Sequence, residues 1–211
     1  MHNDAQKGLP KEVRKYFPSE ALAYVNFYFT TCRFHFKVTR PRLSKKGDFK
    51  YFKTKDRLPA ITVNGNLCAY DFLLVFIHEL AHYMIYRHDD INRVKAHGPE
   101  WKRMYKNLLS NLLEQVPLPQ DIALAFRNYS NHITSSTIMD AELEKVLDRY
   151  RDKPENVFYL KDLEVGEKFV CRNEIFRVES FARTRARCVM EKNSRRYLIS
   201  GMMNVTKIDA V

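Results

Sequence analysis

Two histidines and a glutamate stand together near the middle of the chain, as His78-Glu79-Leu80-Ala81-His82. On a helix, residues i and i+4 share a face, so His78 and His82 can aim two imidazole nitrogens at one point. Glu79 sits one step round from His78 and can reach a water at that point without being a ligand. This is the donor set of a zinc hydrolase. The metal brings the pKa of its water to about 7, and a carboxylate accepts the proton as hydroxide attacks a carbonyl. The segment from Phe72 to Met84 is apolar on nearly every side, which marks a buried helix. Histidines and a glutamate on such a helix need partners, and zinc supplies one.

Catalytic zinc usually takes three protein ligands plus water, so a third must come from outside this motif. His97 ranks first. It opens His97-Gly98-Pro99-Glu100-Trp101, and a helix beginning near Pro99 presents His97 at a fixed point just ahead of it. Glu100 ranks second, as the carboxylate of a site built from two histidines and a glutamate. His88 ranks third: it has the metzincin spacing after His82, but that class turns the chain with Gly where Ile85 stands.

The stretch resembles the SprT-like (Spartan-related) zinc metallopeptidase family. That pattern is H-E-x-x-H followed, after a variable connector, by a histidine in an H-G-P-x-aromatic segment. Here it is His78, Glu79, His82 and then His97-Gly98-Pro99-Glu100-Trp101, and the likeness runs from about Tyr16 to Leu113 and includes Ile61-Thr62-Val63-Asn64. The resemblance implies Zn2+ on His78, His82 and His97, with Glu79 as the catalytic base. It also implies a zincin-like fold, a protein or peptide substrate, and action on DNA-bound or DNA-crosslinked proteins.

The elements that must position these groups follow from periodicity. Val13, Tyr16, Phe17 and then Ala21, Leu22, Val25 and Phe29 predict helix over 11–31, interrupted at Pro18, with Ser19 as the cap of the second piece. Phe34 to Thr39 alternates as a strand, with His35 on its polar phase. Gly47-Asp48 suggests a turn between strands, and Ala60 to Val63 a short strand turned by Asn64-Gly65. Pro99 to Gln115 is the clearest amphipathic helix, and shorter helices are expected over 121–129 and 138–150. From Val157 the texture changes to short alternating runs, 168–172, 175–180, 184–190 and 196–199, joined by turns at Arg172-Asn173-Glu174 and Lys192-Asn193-Ser194. The expected fold is α+β. A zincin-like helical metallopeptidase domain with a small antiparallel sheet occupies 1–150, a linker 151–156, and a basic all-β module, SH3-like or OB-like, 157–211. This tail departs from many SprT-like proteins, which follow the protease domain with a cysteine-rich zinc ribbon.

The 211 residues carry a formal net charge of +11, which favours an acidic partner such as nucleic acid. Lys45, Lys46, Lys50 and Lys53 are interleaved with Phe49, Tyr51 and Phe52, a mixture suited to single-stranded DNA. The alternative is a hairpin with its aromatics in the core and its lysines in water. Arg183, Arg185 and Arg187 form a second basic group in the tail. Cys32, Cys68, Cys171 and Cys188 include no C-x-x-C pair, which suggests reduced thiols. The amino terminus lacks an apolar leader and no run is long enough to span a bilayer, so a cytoplasmic protein without a membrane partner is expected. The competing reading is a nucleic-acid-binding protein with a structural zinc site and no proteolysis. Glu79 discriminates, because a closed four-ligand site has no use for an acid beside it.

Overall fold

A computed structural model of the chain describes residues 8–42, 45–52, 57–88, 95–131, 133, 141–151 and 157–208. The chain divides into two compact units, Met1–Arg151 and Asp152–Val211. Together they make a mixed α+β protein.

The first unit opens with α1 (Lys11–Arg14), a 3-10 turn (Ser19–Ala21) and α2 (Leu22–Thr31). Ser19 does not cap α2. The cap position belongs to Ala21, which makes no side-chain bond, because the tight turn takes up the residues after Pro18 and starts the α-helix later. Strands β1 (His35–Thr39), β2 (Gly47–Lys50) and β3 (Ala60–Asn64) follow, then α3 (Ala69–His88), α4 (Pro99–Gln115), α5 (Gln120–Asn131) and α6 (Ala141–Asp148). The three strands lie in the order β1-β3-β2. The sheet is mixed rather than antiparallel. β2 pairs antiparallel with β3, while β1 lies on the other side of β3 and runs parallel to it, Phe36 opposite Ile61. Gly47-Asp48 is not a turn but the start of β2, paired with Val63 and Thr62.

α3 is the spine of this unit. Phe72, Leu73, Phe76, Ile77, Leu80 and Ala81 are fully buried, and each large side chain among them contributes about 1.5–3 kcal/mol of transfer free energy. Phe76 packs edge-on against Phe17 and Phe36 and stacks on Phe29, which joins the helix to α2 and β1. α4 begins with Pro99 at its first position, after Gly98, as its sequence predicts, and buries Trp101, Tyr105, Leu108, Leu109 and Leu112.

Two polar devices hold the segment leading into β2. Asn64 is buried, and its amide donates to the carbonyls of Arg42 and Lys45 at 3.2 and 2.9 Å. Lys46 donates to Asp71, in the first turn of α3, at 2.9 Å and to Glu144 of α6 at 3.1 Å; Arg151 bridges the same two acids at 3.2 and 2.6 Å. Burial pushes the Glu144 carboxyl up, but Lys46 and Arg151 outweigh it and hold it below its ordinary value of 4.5. A carboxylate depressed in the folded state contributes stability above its unfolded pKa, lost as pH falls through the folded value. The urea midpoint is therefore expected to fall more steeply below about pH 4.5 in the wild type than in Glu144→Gln.

The second unit is one antiparallel sheet. Its strands are β4 (Val157–Tyr159), β5 (Lys168–Cys171), β6 (Glu174–Phe181), β7 (Arg185–Met190), β8 (Arg196–Ser200) and β9 (Asn204–Ile208), in the order β4-β9-β5-β6-β7-β8. Arg172 and Asn173 take φ of 53° and 66°, the left-handed pair that a two-residue hairpin turn needs. Phe169, Val178, Ala186 and Cys188 fill its buried side. Among the described residues no pairing joins β8 to β4, so the sheet stays open. β4 and β9 are not evident from the sequence: three residues are too few to show a period, and Asn204–Ile208 is half polar.

Candidate metal centre

α3 places His78 and His82 one turn apart, and the turn before α4 brings His97 to meet them. The Nε2 atom of His97 lies 3.1 Å from that of His78 and 3.1 Å from that of His82. An imidazole nitrogen has either one hydrogen or one lone pair, so His97 Nε2 cannot make both contacts good hydrogen bonds. The three nitrogens also fit one ion: two ligands about 2.0–2.1 Å from a tetrahedral zinc lie roughly 3.3 Å apart. No other group of three or more histidine, cysteine or acidic side chains among the described residues could hold a metal.

The backbone at His97 has φ of 59°. A residue other than glycine holds that conformation at a cost of about 1–3 kcal/mol, and such strain concentrates at functional sites. The rings are fixed by aromatic neighbours. The Trp101 ring centre lies 4.6 Å from those of His78 and His97 and 5.2 Å from that of His82. Phe49 of β2 lies parallel to His82 at 6.3 Å. Burial, and then the neighbouring imidazoles, hold His78 well below its usual pKa. The same causes bring His82 to about 4, and burial lowers His97. Near neutral pH all three are uncharged and present lone pairs, the form that binds a metal.

Glu79 belongs to the site without belonging to the triad. It is 7 % exposed and accepts a hydrogen bond from the Phe49 amide. Burial, and then the charge of Asp48, push its carboxyl up to about 8, against the pull of Arg42, Lys45 and the Phe49 amide. A cation at the triad acts in the opposite direction and favours the carboxylate. The triad, Glu79, Asp48, Phe49, Tyr51 and Trp101 line a cavity of about 340 Å³.

Gly47 sets where that carboxylate lies. A Cβ on Gly47 would fall 2.5 Å from Glu79 Oε1, 2.9 Å from its Cγ and 2.6 Å from Val75 Cγ1. Gly47→Ala is expected to displace the carboxylate while leaving all three imidazoles in place. A displacement near 1 Å costs about 10²-fold in rate. Steady-state kinetics should show this in kcat, with zinc content unchanged.

The other residues proposed from sequence are dispersed. Glu100 is half-buried in the first turn of α4 and outside the triad. The His88 side chain and Lys53 lie outside the described residues. Lys45 pairs with Asp48 at 2.8 Å, Lys46 is held by Asp71 and Glu144, and Lys50 lies over the Phe52 ring at 5.3 Å. Arg183, Arg185 and Arg187 are exposed on the second unit. Sequence reasoning misses Gly47 and Asp48, and it places Phe49 and Tyr51 with the lysines or in a hairpin core. The one signal for them is alternation from Gly47 onward, which puts Gly47, Phe49 and Tyr51 on one side of an extended segment.

The geometry thus gives three imidazoles that could hold a metal ion, with a buried carboxylate beside them. Residues 19–119 match the model of the SprT-like family. This segment belongs to the SprT-like family. The SprT-like match spans α2 through α4, and so all four residues of the centre. No curated protein and no solved structure matches the chain. No described helix is long and apolar enough to cross a membrane.

Proposed function

We propose that the protein is a zinc-dependent endopeptidase of the zincin type, working on proteins bound or crosslinked to DNA. The observation that carries this reading is the convergence of three uncharged imidazole nitrogens with a non-ligating carboxylate beside them. His78, His82 and His97 would hold the ion, which when bound supplies a Lewis acid. Glu79 takes the proton of the attacking water and passes it to the leaving amide nitrogen. Gly47 and the Phe49 amide keep its carboxylate aimed. β2 is an edge strand, and its residues line the cavity, so an extended peptide can add to it by main-chain pairing.

The DNA part rests on charge and on SprT-like membership. Lys45 and Lys46 are already paired within the first unit, so the contact is assigned to Arg183, Arg185 and Arg187, which make no ion pair among the described residues. Arg185 and Arg187 are alternate residues of β7 and share one face, which suits a basic SH3-like or OB-like module following a nucleic-acid backbone. The test is cleavage of casein by the zinc-loaded chain with and without single-stranded DNA. Cleavage that a chelator stops and zinc restores supports the peptidase. Replacing the three arginines by alanine should weaken DNA binding and flatten its salt dependence; an unchanged salt slope removes them from the interface.

A further inference from the structure

β2 and the residue after it run alongside α3, and their contacts advance together. Gly47 lies beside Glu79, where a Cβ would fall 2.5 Å from Oε1. The Phe49 ring lies parallel to that of His82 at 6.3 Å, and the Tyr51 ring lies 5.6 Å from that of Tyr86. Two residues of strand, about 6.6 Å, keep pace with roughly one turn of helix, about 5.4 Å. The first level carries the proposed base and the second a proposed metal ligand. The third carries neither. Its rings join Phe49 in a cluster with centres 5.6, 5.9 and 6.3 Å apart. The cluster is not sealed in the core. Tyr51 is 36 % exposed, and with Phe49 and Ile85 it lines the metal cavity. Open ring faces on the wall of a cavity gain from a further apolar group laid against them, most of all an aromatic one.

We propose that Phe49, Tyr51 and Tyr86 form a substrate subsite for an aromatic or large aliphatic side chain beside the scissile bond. The inference rests on the peptidase reading and adds the class of residue that the cavity selects. β2 has a free edge. An extended peptide paired with it advances in the same steps as the strand, so the side chain that meets Tyr51 lies about two residues from the one level with His82. A stacked nucleobase is the other group that such rings accept. The free edge favours the peptide, and Lys45 and Lys46, which would hold the phosphates, are already paired with acids of the first unit.

The test uses the zinc-loaded full chain and a peptide series in which one residue at a time is Phe, Leu, Lys or Ala, with the cut mapped by mass spectrometry. At one position within two residues of the cut, kcat/KM should rise about tenfold from Ala to Phe, with Leu between them and Lys no better than Ala. Tyr51→Ala should bring the Phe and Ala peptides together through KM. Tyr51→Phe keeps the ring and should retain the difference. Tyr51 is exposed, so its truncation opens no hole in the core. Binding of the same peptides to zinc-loaded Glu79→Gln, followed by anisotropy, reads the subsite without turnover. A Phe preference in binding that depends on Tyr51, with no cleavage by the wild type, would sink the peptidase reading and leave the subsite standing. Equal cleavage and equal binding of the Phe and Ala peptides overturn the proposal, as does a preference that survives Tyr51→Ala or one for Lys. Single-stranded DNA that competes with the Phe peptide, and is itself weakened by Tyr51→Ala, would give the rings to a nucleobase and overturn it too.

Discussion

Glu79→Gln is expected to abolish measurable proteolysis and leave zinc binding intact. Glutamine keeps the size of the side chain, and so its fit beside Gly47, where a Cβ would fall 2.5 Å from Glu79 Oε1. It can still accept the hydrogen bond from the Phe49 amide. What it cannot do is take a proton. Positioned acid–base groups contribute about 10²- to 10⁴-fold, so kcat should fall within that range or below detection. The residue is outside the triad, so zinc content by mass spectrometry should equal that of the wild type. Full activity in the variant would mean that another group handles the proton. Asp48 is the first to test, because it lines the same cavity. Loss of zinc together with activity would mean that Glu79 is a ligand, which contradicts its place beside the imidazole cluster.

The second large effect is expected at His97. His97→Ala removes the nitrogen that stands 3.1 Å from both helix histidines. Two imidazoles from one helix face remain, and catalytic zinc sites rest on three protein ligands. Partners one shell out from a metal are worth about 10- to 100-fold in affinity, so loss of a direct ligand should exceed that. Chelator competition would measure it, and activity should be lost at zinc concentrations that saturate the wild type. Glu100→Gln serves as the control. Glu100 lies in the same turn of chain but outside the cluster, so its variant should bind zinc as the wild type does. The reverse result, with Glu100 required and His97 dispensable, would replace the all-histidine site by one in which a glutamate joins the two helix histidines.

The contrast between these two residues shows what the sequence makes legible. His78, Glu79 and His82 are visible because helix geometry translates spacing directly into a shared face. His97 is visible because Pro99 marks a helix start, and α4 begins there. The strained φ of His97 that completes the triad has no sequence signature, since left-handed positions are usually glycine or asparagine. Gly47, Asp48 and Phe49 are illegible for another reason. They reach Glu79 across the fold, through the pairing of β2 with β3 and the anchoring of the preceding segment by Asn64 and Asp71. Lys46 illustrates the same gap. In the sequence it is one lysine among several in a basic run, while in the fold it neutralises a carboxylate buried at the head of α3. The mixed sheet is hidden likewise, because short alternating runs carry no information on which neighbour lies on which side.

His78, His82 and His97 are expected to bind one ion together and leave it a position open. X-ray absorption at the zinc edge of the zinc-loaded chain reads the ligand set. Three imidazole ligands and one light-atom neighbour from solvent are expected, with the imidazole signal reduced in His97→Ala. A shell containing sulfur, or four protein ligands in the wild type, would rule out the open three-histidine site and favour a structural zinc site.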